Sequence, residues 1–121
     1  MQLSSIDAVS LKKRLDEGKT LLIDVREPHE YAREHIEGAR LAPLSRFDVE
    51  DFRQDQEKTA VFYCHSGART RFNARLLSSK GFREAYSLSG GIVAWKAAGL
   101  PTRSERSVPV EGGRKRFGWL F

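Results

Sequence analysis

The stretch Ala60-Val61-Phe62-Tyr63-Cys64-His65-Ser66-Gly67-Ala68-Arg69 decides how this chain is read. It opens with four apolar, β-prone residues, the pattern of a short buried strand. A helical pattern begins at about Ala68. The only cysteine, Cys64, therefore falls at a strand-to-helix turn, beside a glycine, a hydroxyl and an arginine. The residues on either side continue this alternation of strand and helix.

Upstream, Asp7 reads as the N-cap of a helix over residues 8–16, with Val9, Leu11 and Leu15 as its apolar contacts and Gly18 as its stop. Residues 21–25 form an apolar run that suits a strand buried on both faces of a parallel sheet. Pro28 opens a short helix to about Glu34. Gly38 and Pro43 punctuate a loop with a short strand at 39–41, and a short polar helix is expected at 49–53. Downstream of the turn the spacing predicts one helix over 68–79, with Ala68, Phe72 and Leu76 on its apolar stripe, Leu77 widening it and Gly81 stopping it. A strand at 85–88, a Gly90-Gly91 turn and a helix at 92–98 follow, closed by Gly99 and Pro101. Parallel strands need helical crossovers, so the fold class is α/β with a mainly parallel sheet.

A chain of 121 residues is one domain, long enough to bury a core without staples. No apolar run reaches the roughly 18 residues a membrane-spanning helix needs. The N-terminus lacks the basic-then-apolar order of a signal peptide, and a cytoplasmic domain is expected. A single cysteine excludes an intrachain disulfide and a Cys-rich metal site. His29 and His35 have no carboxylate or cysteine cluster beside them; they read as surface and structural residues, and no metal site is expected. The net charge is +5. After Thr102, five basic residues stand against Glu105 and Glu111, a local excess of +3. The remainder is nearly balanced, with no basic helix face. A modest field that draws small anions is expected, not nucleic-acid binding.

A free cysteine is mostly a thiol at neutral pH. Here the loop N–H groups and the following helix N-terminus concentrate positive charge at the sulfur, and Arg69, with Arg71 nearby, adds more. Gly67 lets successive N–H groups converge on an anion. Ser66 can donate from its hydroxyl. His65 is either a donor or general acid, or a side chain turned to solvent. Loop length discriminates between chemistries. A phosphatase loop needs Cys-x5-Arg; Arg69 closes Cys-x4-Arg, and the next position is Thr70. With no second cysteine, a dithiol relay within the chain is excluded. Asp24 and Arg26 read as a charge network supporting the loop, Gly90 and Gly91 as points of close backbone approach, and Trp95 as core.

Three motifs then resemble the rhodanese family, over about residues 4–102. Leu22-Ile23-Asp24-Val25-Arg26-Glu27-Pro28 with Glu30-Tyr31 and His35-Ile36-Glu37-Gly38-Ala39 is similar to the family's N-terminal signature. Residues 64–69 match its six-residue active-site loop. Leu88-Ser89-Gly90-Gly91 with Ala94-Trp95, then Ala98-Gly99-Leu100-Pro101, resembles its C-terminal signature. Glu34 departs from the glycine many members carry before the histidine, which bears on a turn. The resemblance implies a five-stranded, mainly parallel sheet with helices on both faces. It also implies a sulfurtransferase in which Cys64 becomes a persulfide, with His65, Ser66, Gly67, Ala68 and Arg69 as the substrate-binding loop and Arg69 holding the donor's oxyanion end. Asp24, Arg26, Gly90 and Gly91 would support that loop. No cofactor is implied. The partners it implies are a small anionic sulfur donor such as thiosulfate and a thiol or cyanide acceptor, and a monomer or homodimer is expected. Three alternatives stay open: a persulfide carrier serving a protein partner, a regulatory binding domain, against which Cys64 argues, and arsenate reduction, which the loop length disfavours.

Residues 1–102 are thus expected to form the domain and 103–121 a basic, aromatic tail. Arg114-Lys115-Arg116 before Phe117-Gly118-Trp119-Leu120-Phe121 has the charge-then-aromatic order of the cytoplasmic flank of a membrane helix. Residues 31–45 also resemble the bacterial inner-membrane rhodaneses. Two readings of the tail follow: an end that frays or folds back, or a lead into membrane attachment beyond the C-terminus of a longer parent.

Overall fold

The computed structural model of the protein describes residues 3–105. Strands β1 (Ser4–Ile6), β2 (Thr20–Asp24), β4 (Arg40–Leu41), β5 (Thr59–Tyr63) and β6 (Glu84–Leu88) form an all-parallel sheet in the order β1-β6-β5-β2-β4. Two further strands, β3 (His35–Ile36) and β7 (Thr102–Arg103), pair antiparallel in a separate ribbon. The helices are α1 (Ala8–Asp16), α2 (Pro28–Arg33), α3 (Ala68–Phe72), α4 (Ala74–Ser78) and α5 (Gly91–Ala97). This is the expected α/β fold.

Because successive side chains of a strand point to opposite faces, β5 feeds two cores. Val61 and Tyr63 join Leu11, Leu88, Ile92 and Trp95 on one face; Ala60 and Phe62 join Val25, Phe47, Phe52 and Leu77 on the other. Trp95 is buried and donates its indole N–H to the Pro101 carbonyl at 2.8 Å. Asp7 caps α1 by accepting from the Ser10 amide at 2.7 Å.

Four local expectations need correction. The helix predicted over 68–79 is two helices, broken at Asn73 (φ −115°, ψ 23°), whose side-chain amide donates to the Arg69 carbonyl at 2.8 Å. Its apolar stripe is different too: Thr70, Ala74 and Leu77 are buried, while Phe72 is 85 % exposed. The break re-phases the second helix, so spacing counted straight through it picks the wrong face. Val9, expected to face inward on α1, is exposed. No helix forms over 49–53. Two 3-10 turns, Leu44–Val49 and Arg53–Asp55, flank extended backbone at Glu50, because burying both Phe47 and Phe52 anchors the segment at two points. His35 is buried rather than superficial, its ring stacked on Tyr31 at 3.8 Å. Three strands lie outside the expected pattern: β1, and β3 and β7 of the antiparallel ribbon. Of the 103–121 tail, Arg103 lies in β7; residues 106–121, and with them the charge-then-aromatic stretch whose two readings include a lead into membrane attachment, lie outside the described residues. Among the described residues no helix is long and apolar enough to cross a membrane.

Candidate active site

Cys64 follows β5 at the carboxyl end of the sheet, where ligand sites of open parallel sheets lie. The turn that follows needs glycine: Gly67 has φ +101° and caps α3. That conformation brings the Gly67 N–H to within 3.1 Å of the Cys64 sulfur, to which it donates. On its other side the Gly67 carbonyl accepts from the Thr70 hydroxyl at 2.9 Å and the Arg71 amide at 3.2 Å.

The loop is also held from behind. The Cys64 carbonyl accepts from the Ile92 amide at 3.0 Å, and the His65 carbonyl accepts from the Val93 amide at 3.1 Å. These donors belong to the first turn of α5, whose N–H groups have no partner within the helix. Tying the loop carbonyls to α5 turns them toward that helix and leaves the Gly67 N–H for the sulfur. So close an approach requires Gly91, where an added methyl would sit 2.4 Å from the His65 carbonyl oxygen and 2.5 Å from that of Cys64. At Gly90 a methyl would sit 2.6 Å from the Ala94 side chain. Gly91 is thus a point of close backbone approach, whereas at Gly90 the crowding neighbour is a side chain of the helix that follows.

A cavity of about 440 Å³ opens beside the loop, with His65 and Arg69 on its wall. Its lining carries four cations, Arg26, Arg33, Arg69 and Lys96, against the carboxylates Glu30 and Glu34. Arg69 points across the cavity to α2 and donates to both oxygens of Glu30, at 2.8 and 2.9 Å. Those hydrogen bonds hold the Glu30 carboxyl down at about 2, against the opposing effect of burial. The same pair raises Arg69, with the Cys64 sulfur a lesser contributor. Lys96 pairs with Glu34 at 2.7 Å. Arg33 is exposed and has no ion-pair partner among the described residues. Cys64 itself is only 1 % exposed.

Asp24 and Arg26 are both buried. The carboxylate of Asp24 accepts from the Arg26 backbone N–H at 2.9 Å, and from Nε and Nη2 at 2.9 and 2.7 Å. Arg26 also donates to the Glu34 carbonyl at 2.6 Å and lies 5.6 Å above the Tyr63 ring. Arg26 lies on the cavity wall, and the fully buried Asp24 holds it in place. His65 and Ser66 are exposed and make no side-chain hydrogen bond to the sulfur among the described residues; Ala68 begins α3. Glu34 has extended backbone (φ −168°), which any residue adopts, so the missing glycine costs nothing at this turn.

Sequence reading named Cys64, the loop, Arg26 and the two glycines. It did not assign Glu30, Glu34, Arg33, Lys96 or the α5 amides. Glu30 had a signal, since a carboxylate in the first turn after Pro28 is favoured there by the helix dipole; its pairing with Arg69, 39 positions away, had none.

An all-parallel five-stranded sheet with a cysteine loop wedged between two helix N-termini is the architecture of a rhodanese-like domain. The family model for the rhodanese-like domain matches residues 7–98, and the chain belongs to that family. It is 39% identical over 101 residues to an uncharacterized Synechocystis protein, slr1261, covering 84% of this chain and 56% of that one. It is 34% identical over 96 residues to the Coxiella burnetii thiosulfate sulfurtransferase GlpE, covering 79% and 87%. It is 41% identical over 95 residues to the probable adenylyltransferase/sulfurtransferase MoeZ of Mycobacterium tuberculosis, where it covers 76% of this chain and 24% of that one. The chain thus spans only about half, or a quarter, of two of these relatives. Among solved structures, the rhodanese-like domain of the Anabaena Alr3790 protein superposes with a TM-score of 0.74 at 31% identity, covering 94% of this chain and 89% of that one. A thiosulfate sulfurtransferase from Pseudomonas aeruginosa gives 0.77 at 30% identity, covering 88% and 20%.

Proposed function

We propose that this chain is a sulfurtransferase that moves a sulfane sulfur through a Cys64 persulfide. The observation that carries the reading is the Gly67 N–H donated to Cys64 Sγ at 3.1 Å, in a loop whose carbonyls are tied off on α5. A donor of this kind stabilises a thiolate and an anionic persulfide alike. Family membership and the names carried by the relatives support the same class of chemistry.

The Cys64 thiolate attacks the outer sulfur of thiosulfate. A new S–S bond forms, the donor's S–S bond breaks, and its electron pair leaves with sulfite. An acceptor thiolate or cyanide then attacks the outer sulfur of the persulfide, and Cys64 departs as thiolate; no external oxidant or reductant is needed. The donor reaches the buried sulfur along the cavity, past His65 and Arg69. Its oxyanion end meets Arg69, which must share or exchange its Glu30 partner.

Intact-mass measurement after thiosulfate treatment tests this. The protein should gain the mass of one sulfur, the gain should reverse with cyanide, and Cys64→Ala should show none. No gain from any sulfane donor sinks the proposal. A gain only from another protein's persulfide replaces thiosulfate use with the carrier reading.

A further inference from the structure

A second convergence of polar groups lies on the other side of the same turn. Residues two apart on a helix do not share a face. Arg69 accordingly reaches Glu30, while Arg71 turns the opposite way, its Nη1 lying 3.8 Å from the position of a methyl built on Gly67. There Arg71 borders a separate cavity of about 180 Å³, together with Leu3, Ser5, Thr70, Ala74 and Ser87. The parallel register sets Ser5 opposite Ser87, so both side chains lie on the sheet face beneath α3. That face is otherwise apolar: Leu3 and Ala85, two positions back on each strand, pack into the core there. Ser87 is 7 % exposed, and its hydroxyl has no hydrogen-bond partner among the described residues. No carboxylate lines this cavity, and Arg71 has no ion-pair partner among the described residues. A buried hydroxyl without a partner is costly, and a ligand or water relieves that cost.

We propose that this cavity binds a small inorganic oxyanion of the sulfite, sulfate or phosphate kind, held by the Arg71 guanidinium and the Ser5 and Ser87 hydroxyls. Guanidinium supplies charge with paired N–H donors that match an oxyanion's edge. At roughly 30 Å³ per water the cavity holds about six water volumes, which fits such an ion with part of its hydration shell and is too small for an organic cofactor. The site adjoins the cysteine loop. The Arg71 amide and the Thr70 hydroxyl both donate to the carbonyl of Gly67, whose own N–H holds the Cys64 sulfur. This inference does not depend on the sulfur-transfer reading.

The test is an amide NMR titration of the full chain with sodium sulfate, phosphate and sulfite in turn, each against sodium chloride at matched ionic strength. Saturable shifts at Ser5, Ser87 and Arg71 are expected. Affinity should fall about ten-fold or more in Arg71→Ala, which removes an exposed side chain, and by a smaller factor in Ser87→Ala. Tighter binding of sulfite would tie the site to sulfur chemistry, and tighter binding of phosphate to a phosphate signal; both support it. Shifts confined to residues 65–69, shifts equal to those of chloride, or affinity unchanged in Arg71→Ala would overturn it.

Discussion

At the scale of single residues, the site depends on positions whose neighbours come from elsewhere in the chain. Gly91 has φ +59° and lies against the Cys64 and His65 carbonyls. In Gly91→Ala the methyl both overlaps the loop and strains the backbone. Urea denaturation should show a loss of about 2–4 kcal/mol, with persulfide formation impaired in the protein that remains folded. Glu30 supplies a pH test. Its carboxyl is depressed by Arg69, so the stabilisation it contributes is complete above the ordinary carboxylate range and is lost only as pH falls toward about 2. A carbon-detected titration of Glu30 should therefore find its midpoint near 2, rising toward the ordinary range in Arg69→Ala. An ordinary midpoint in the unmodified protein would rule out the pair. Arg69→Ala should also weaken thiosulfate use more than it slows alkylation of Cys64 by a neutral reagent; equal losses would remove its donor-binding role.

Elements show where periodicity succeeds and where it misleads. Helix α1 was legible because its cap, its end and Leu11 are all local. The helix after the cysteine was not, since Asn73 breaks it and resets which side faces the sheet. The consequence is measurable. Leu77→Ala, which empties a fully buried site, should cost about 2–5 kcal/mol, while Phe72→Ser at an exposed position should change stability by less than about 0.5 kcal/mol. The reverse order would restore the unbroken helix. Helix α5 shows the same limit differently. Its residues read as a helix after a glycine turn, but its role in gripping the loop depends on contacts 28 positions apart in sequence, which no local pattern records.

For the whole molecule, the segment after α5 packs back against β3 and the end of α2. Strand β7 pairs with β3, Thr102 and Lys96 both bind the Glu34 carboxylate, and the Glu105 amide donates to the Ala32 carbonyl at 3.0 Å. These contacts anchor the C-terminal end of α2, the helix that presents Glu30 to Arg69. Truncation after Leu100 should lower stability and raise amide exchange at Ile36 and through α2, with KM for the sulfur donor affected more than the loop's intrinsic reactivity. Unchanged exchange in α2 would show that β7 is dispensable. The alternation of buried strands with capped helices, the lone cysteine at a strand end and the length of its loop were set by the sequence alone, because each depends on residues within a turn or two of one another. Only the tertiary structure decided that Arg69 answers to Glu30, that α5 amides hold the loop carbonyls, and that Arg71 faces a second cavity. Those are through-space pairings, and the free energy that selects them comes from packing two cores around one sheet.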